Sequence, residues 1–229
     1  PPRSTLFPYT TLFRSHTKIK ELRPLTLIPF DAHLMINEPV KHVRDYIDAG
    51  SDIITVHAEV CDESSFGEIS DMLRSNQVGI GLAINPDTEL PEWCYKFVEL
   101  LDQIIIMSVV PGKSGQKFIE STHEKTKRIA KDLREHKFEG YIEADGGVNL
   151  ENIGACFEDG ARAFVGGSAI IGQTDVRMII KEFRNQVLES RRRLLIKKAH
   201  DLGGTELVNS WIGLRSEERR VGKECRSRW

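Results

Sequence analysis

The residues best placed to do chemistry lie in the run Glu143-Ala144-Asp145-Gly146-Gly147-Val148-Asn149. It reads as the end of a buried strand, Tyr141 to Asp145, followed by a two-glycine turn and a helix that starts at Asn149, whose side chain suits an N-cap. Glycine lets backbone N–H groups come close to a ligand, and the next helix offers its positive end, so the turn is a candidate cradle for phosphate or another anion. Side chains alternate along a strand, which puts Glu143 and Asp145 on one face, with Asp145 last before the turn. A carboxylate there could move a proton on a substrate whose anionic end is held next door. Standing alone, the heptapeptide would equally suit an ordinary strand-to-helix turn.

Other stretches supply the support it needs. Residues 162 to 168, Arg-Ala-Phe-Val-Gly-Gly-Ser, repeat the pattern of an apolar strand closed by a glycine-rich turn. Two consecutive strands of this kind are what a phosphate site at the C-terminal face of a (β/α) barrel needs, because the last two loops supply it. Asp31, His33 and Met35 share parity, so if His33 faces the barrel mouth the other two line the same wall. By itself His33 reads more readily as a satisfied core histidine than as a ligand. Thr55, His57 and Glu59 also share a face, and for His57 and Glu59 a wall or hydrogen-bonding role is favoured over direct catalysis.

The elements that must position these groups alternate regularly. Leu25 to Ile36 is too apolar and too short for a surface helix and reads as a buried strand, irregular near Pro29. Pro39 opens a helix to Ala49, stopped by Gly50. A strand Asp52 to His57 and a helix Glu63 to Asn76 follow, then a strand Val78 to Ile84 closed by Asn85-Pro86. Asp87 or Thr88 can cap a helix running to Leu101. Gln103 to Val109 is the most strand-like segment, and Pro111 to Gln116 is a loop whose two glycines can act as hinges. A helix Phe118 to His136 leads to the opening motif, and the Asn149 to Asp159 helix and a strand ending at Val165 follow. A last helix starts at Thr174 and runs through Arg191-Arg192-Arg193, a solvated face, to Ala199; Thr205 to Ile212 forms one short helix. These are six βα units whose short connections force parallel pairing and right-handed crossovers.

Composition narrows the class. With 229 residues, 40% of them hydrophobic, the chain can bury one substantial core and nothing requires a second domain. A net charge of -2 makes no case for nucleic acid or a membrane as partner. Cys61, Cys94, Cys156 and Cys225 lack CxxC spacing, so neither a zinc ribbon nor a disulfide framework is implied and a reducing cytoplasm fits. No apolar run approaches the length that spans a bilayer. The ends look foreign and resemble translated adapter sequence. The expected organisation is therefore a foreign segment over 1–15, an incomplete barrel domain over 16–202, a short extension over 203–214 and a second foreign segment over 215–229.

Taken together, Asp31-Ala-His33-Leu-Met35, Val56-His57-Ala-Glu59, Asn85-Pro86-Asp-Thr88, Met107-Ser-Val-Val-Pro111-Gly112-Lys-Ser-Gly115-Gln116, Glu143-Ala-Asp145-Gly146-Gly147-Val148 and Gly167-Ser168-Ala-Ile170 resemble the successive signatures of ribulose-phosphate 3-epimerase, in order and at the right spacing from Leu25 to Phe183. The resemblance implies a (β/α)8 TIM barrel of the ribulose-phosphate-binding type that interconverts ribulose 5-phosphate and xylulose 5-phosphate with one divalent metal ion, zinc, iron, manganese or similar. It implies that His33 and Asp145 are metal ligands, that Asp145 is also one of two acid/base carboxylates, and that Gly146, Gly147, Gly167 and Ser168 hold the phosphate. The loop Gly112-Lys113-Ser114-Gly115 would close over the sugar, His33 and Met107 would touch the substrate, and Met35 would pack near the reacting carbon. A cytoplasmic homo-oligomer acting on a phosphorylated pentulose is the expectation, with allulose 6-phosphate 3-epimerisation or non-catalytic phosphosugar binding as alternatives.

The chain also departs from that pattern. The family's first strand carries a substrate-contacting serine, and its second carries a histidine and an aspartate that complete the metal site; where these belong, the chain has Pro1 to Ser15. Lys113-Ser114 replaces the bulky-aromatic and glycine pair usual in the closing loop. The first two βα units of the barrel are thus expected to be missing, metal binding and turnover to be impaired, and two strand edges to be exposed.

Overall fold

The computed structural model describes residues 16–112 and 115–201. Helix α1 (His16–Leu22) and a 3-10 turn (Arg23–Leu25) precede strand β1 (Asp31–Leu34). Then come α2 (Val43–Ala49), β2 (Ile53–His57), α3 (Glu63–Ser75), β3 (Gly79–Ile84), β4 (Gln103–Met107), α4 (Thr122–Glu135), β5 (Tyr141–Asp145), α5 (Ile153–Asp159), β6 (Ala163–Val165), α6 (Gly167–Ile171) and α7 (Val176–Asp201). The strands form one sheet in chain order, every pair parallel, as short strand-to-strand crossovers require. Among the described residues β1 pairs only with β2 and β6 only with β5. The described residues thus form an open α/β barrel of six units, against the eight of a closed TIM barrel.

Alternation along the strands separates two faces. Leu34, Ile54, Val56, Ile80, Leu82, Ile84, Ile104, Ile106 and Ile142 point outward and pack beneath Phe66, Ile69 and Leu73 of α3 and Ile129 and Leu133 of α4. Each fully buried side chain of this size contributes about 1.5–3 kcal/mol, so this layer is what holds the helices on the sheet. Local signals set the helix limits: at the start of α3, Asp62 Oδ1 accepts from the Ser65 N–H at 2.8 Å and Ser65 Oγ accepts from the Asp62 N–H at 2.9 Å. On the other face, Met35, Ala83, Ile105, Met107 and Val109 form a small apolar cluster of their own. Asp31 of β1 accepts from Gln103 of β4, and His33 reaches Asp145 of β5; contacts across that many strands require the sheet to curl toward this inner face.

Several expected elements change. The strand expected from Leu25 to Ile36 is confined to Asp31–Leu34, and Leu25, Leu27 and Ile28 are 78%, 99% and 71% exposed. Among the described residues no strand lies on the outer side of β1 to draw that segment into the sheet. Arg23 holds it instead, donating to the carbonyls of Thr26, Ile28 and Gly50 and to Asp52 Oδ2. Between β3 and β4 the expected helix to Leu101 is only a 3-10 turn, Glu92–Lys96. The Lys125 ammonium, buried beneath that connection, donates to the carbonyls of Asn85, Pro86 and Thr88, the last of which the first turn of the expected helix would have needed for its own ladder. The helix expected from Phe118 begins at Thr122, and the one expected from Asn149 begins at Ile153. The expected segments 1–15, 203–214 and 215–229, the helix Thr205 to Ile212, and Lys113 and Ser114 lie outside the described residues.

Candidate active site

Parallel strands end together, so the C-terminal edge of the sheet gathers the polar ends of β1, β2, β4 and β5. His33 Nδ1 lies 3.3 Å from Asp145 Oδ2, both side chains largely buried. His33 Nε2 lies 2.8 Å from His57 Nε2, and His57 Nδ1 lies 3.1 Å from Glu59 Oε2. The two imidazole centres are 4.9 Å apart with planes only 13° apart, so the rings meet edge to edge rather than face over face. Glu59 Oε1 accepts the Asn85 N–H at 2.7 Å. Met107 stands opposite Asp145 in the sheet register and is 2% exposed, with Met35 in the same apolar cluster. The structure thus brings together His33 and Asp145, the two residues that the family resemblance implies as metal ligands.

The turn after Asp145 is built to stay tight. Gly146 and Gly147 have φ of 118° and 65°, and a Cβ on Gly147 would lie 2.5 Å from the Phe118 nitrogen, so no larger residue fits without moving backbone. Ser108 fastens the turn from β4: its N–H donates to the Asp145 carbonyl at 2.7 Å and its Oγ donates to the Gly146 carbonyl at 2.7 Å. Asn152 Nδ2 donates to the Gly147 carbonyl at 3.1 Å, and Asn149 Oδ1 accepts from the N–H groups of Glu151 and Asn152. Because Asn149 caps this turn and not α5, the helix starts further on than expected. Any anion at this turn would therefore meet the turn's own N–H groups more than a helix dipole. Reading the sequence alone missed Ser108 and Asn152. The available signal was a hydroxyl directly after the most apolar strand and a second asparagine within one turn of the glycines.

The second glycine turn reaches the same edge. Val165, the last residue of β6, stands opposite Asp145, and Gly167 and Ser168 open α6 immediately beyond it. Ser168 is exposed, and a Cβ on Gly167 would meet nothing within 4 Å. The loop after β4 starts from the same edge: Gly112 and Gly115 have φ of 128° and 75°, and Gln116 Nε2 donates to the Val110 carbonyl at 2.6 Å.

Beneath these groups lies a buried polar layer. Gln103 Nε2 donates to Asp31 Oδ2 and, at 2.6 Å, to Thr55 Oγ1. Burial pushes the Glu143 carboxyl up to about 8, with the charges of Asp31 and Asp145 acting the same way. Asp31 is also raised by burial, against the pull of Gln103, His33 and Thr55. Burial lowers His57, partly opposed by its bond to Glu59. At Glu59 burial pushes upward, but bonds from His57, Thr88 and Asn85 outweigh it and hold the carboxyl at about 2.

Imidazole and carboxylate suit zinc, iron or manganese, and His33 Nδ1 and Asp145 Oδ2 are close enough for one ion to join them. Their number does not complete a site: among the described residues no group of three or more His, Cys, Asp or Glu converges as metal ligands. The fit is that of half a coordination sphere. Among the described residues no helix is long and apolar enough to cross a membrane.

A profile of the ribulose-phosphate 3 epimerase family matches residues 9–171, starting inside the stretch that looks foreign by composition. The chain is 38% identical over 167 residues to the ribulose-phosphate 3-epimerase of Bacillus subtilis, an alignment covering 72% of this chain and 76% of the relative. It is 39% identical over 163 residues to the chloroplastic ribulose-5-phosphate-3-epimerase of Arabidopsis thaliana, covering 71% of this chain and 58% of that one. The solved 3-hexulose-6-phosphate synthase from Salmonella typhimurium shares the fold at a TM-score of 0.54 and 18% identity, over 76% of this chain and 78% of that one.

Proposed function

The chain belongs to the ribulose-phosphate 3-epimerase family, and we propose that it interconverts D-ribulose 5-phosphate and D-xylulose 5-phosphate by proton transfer at C3, with Asp145 as one of the two carboxylates. The observation that carries this reading is the meeting of His33 and Asp145 across the curled sheet, at the strand end from which the Gly146-Gly147 turn springs. Epimerisation removes the C3 proton from one face, leaving an enediolate, and returns a proton to the opposite face, so two acids must flank the carbon. Asp145 takes or returns the proton on its own face. Glu143 cannot be its counterpart, since it sits on the same strand one layer deeper.

Gly146, Gly147, Gly167 and Ser168 hold the sugar's phosphate through backbone N–H groups and the serine hydroxyl, and Gly112, Lys113, Ser114 and Gly115 cover the substrate. Anchoring the remote phosphate supplies the orientation that makes proton transfer effectively unimolecular. Met107 and Met35 keep the reacting carbon in apolar surroundings and exclude water from it. His33 and Asp145 would hold a divalent metal, which when bound polarises the ketone and stabilises enediolate charge.

The described residues supply two ligands and one acid, so a polypeptide of these 229 residues should turn over little. The deciding experiment places the first two βα units of the Bacillus subtilis relative ahead of His16 and measures epimerisation in a coupled assay, with allulose 6-phosphate as the competing substrate. Turnover of the pentulose that appears in the chimera and is abolished by Asp145→Asn supports the proposal. Phosphosugar binding without turnover, or a preference for the hexulose phosphate, overturns it.

A further inference from the structure

Nothing in the proposed proton transfer uses His57 or Glu59, yet both are built into the wall behind His33. Glu59 Oε1 is taken by a backbone donor, the Asn85 N–H, which leaves Oε2 to accept from His57 Nδ1. A neutral imidazole has one donor and one acceptor nitrogen, so a His57 that gives its Nδ1 proton to Glu59 presents Nε2 as a lone pair. That lone pair faces His33 Nε2 at 2.8 Å with the rings nearly parallel and their centres 4.9 Å apart, a separation that fits an N–H···N bond, so His33 donates from Nε2. His33 Nδ1 is then left bare, pointing at Asp145 Oδ2 from 3.3 Å. Two acceptors facing each other repel unless a proton or a cation lies between them.

From this chain of partners we infer that Glu59 and His57 are positioning residues: they set the tautomer of His33 so that its Nδ1 lone pair, together with Asp145, is presented to a divalent cation. The inference rests on the reading of His33 and Asp145 as the metal pair. Metal-bound histidines commonly hand their second ring N–H to a carboxylate or carbonyl; here the hand-over passes through a second imidazole. The low carboxyl of Glu59 is in keeping with an anion that accepts at both oxygens.

Glu59→Gln makes the sharpest test. Its amide oxygen must still accept the Asn85 N–H, so its NH2 group turns toward His57 Nδ1 as a donor. Each imidazole then flips tautomer in turn, and His33 Nδ1 acquires the proton. Side-chain 15N NMR of the 229-residue chain should show Nδ1–H at His57 and Nε2–H at His33, reversed in Glu59→Gln, and zinc titration of the chimera, where the added units supply further ligands, should show affinity falling by about 10-fold to 100-fold when it carries that substitution. A wild-type spectrum with the proton on His33 Nδ1 overturns the inference even if the variant does not fold. So does unchanged zinc affinity in a folded Glu59→Gln chimera whose His33→Asn and Asp145→Asn counterparts have lost it. If His33→Asn and Asp145→Asn leave zinc binding untouched, the metal-pair reading itself falls, and the wild-type tautomers still decide the relay.

Discussion

At Gly147 the backbone holds a φ of 65°, and the space a Cβ would need is taken by the Phe118 nitrogen. Gly147→Ala adds left-handed strain of about 1–2 kcal/mol to a clash with backbone, and should lower the thermal midpoint by about 4 °C or more, read by calorimetry. Because the turn's N–H groups would shift, the same variant in the chimera should raise KM for the pentulose phosphate more than it lowers kcat. Glu59 makes a pH-dependent contribution. Its carboxyl is held at about 2 against an ordinary value of 4.5, so its stabilisation is fully present above about 4.5 and is lost as pH falls through about 2. Glu59→Gln should therefore lose up to about 2 kcal/mol relative to wild type above pH 5, counting solvent screening, with the difference shrinking toward pH 2 in urea melts.

Among the elements, the β3 to β4 connection depends most on one side chain. Lys125 is 7% exposed and its ammonium serves three carbonyls of that connection. Burial lowers its affinity for a proton, opposed by Glu89 and Glu59, so the charge is retained at a cost that the three bonds offset. Lys125→Met should cost about 1–3 kcal/mol in denaturant unfolding, since the carbonyls lose their donor while the aliphatic stem is kept. An unchanged midpoint would mean that solvent replaces the ammonium. The turn after β5 has a similar dependence on Ser108, whose two donations to Asp145 and Gly146 tie the end of one strand to the end of its neighbour.

At the scale of the whole molecule the open sheet matters most. β1 and β6 each leave one side without a described partner, and Leu25, Leu27, Ile28 and Val165 expose apolar surface near those edges. Unpaired edges recruit other strands, so size-exclusion chromatography with light scattering should show concentration-dependent self-association of the 229-residue chain, reduced in the chimera that supplies two more units. A stable monomer at all concentrations would count against this. Among the described residues no further ligand joins the metal pair, so zinc affinity should rise steeply in the chimera.

Much of this was legible before any coordinates. Alternation put Asp145 and Glu143 on one face, parity put His33 beside Asp31 and Met35, and paired glycines marked the turns, because each of these is a property of a few consecutive residues. Strand pairing then carried local faces into a common edge, as short βα connections demand. What only the tertiary structure decided was how far the sheet curls. Parity says which way His33 and Asp145 point but not that four strand spacings close to 3.3 Å, nor that His57 bridges His33 to Glu59. The fate of Leu25 to Phe30 was equally hidden, because an apolar run becomes a strand only where a neighbour offers its hydrogen-bonding edge, and the outer side of β1 offers none among the described residues.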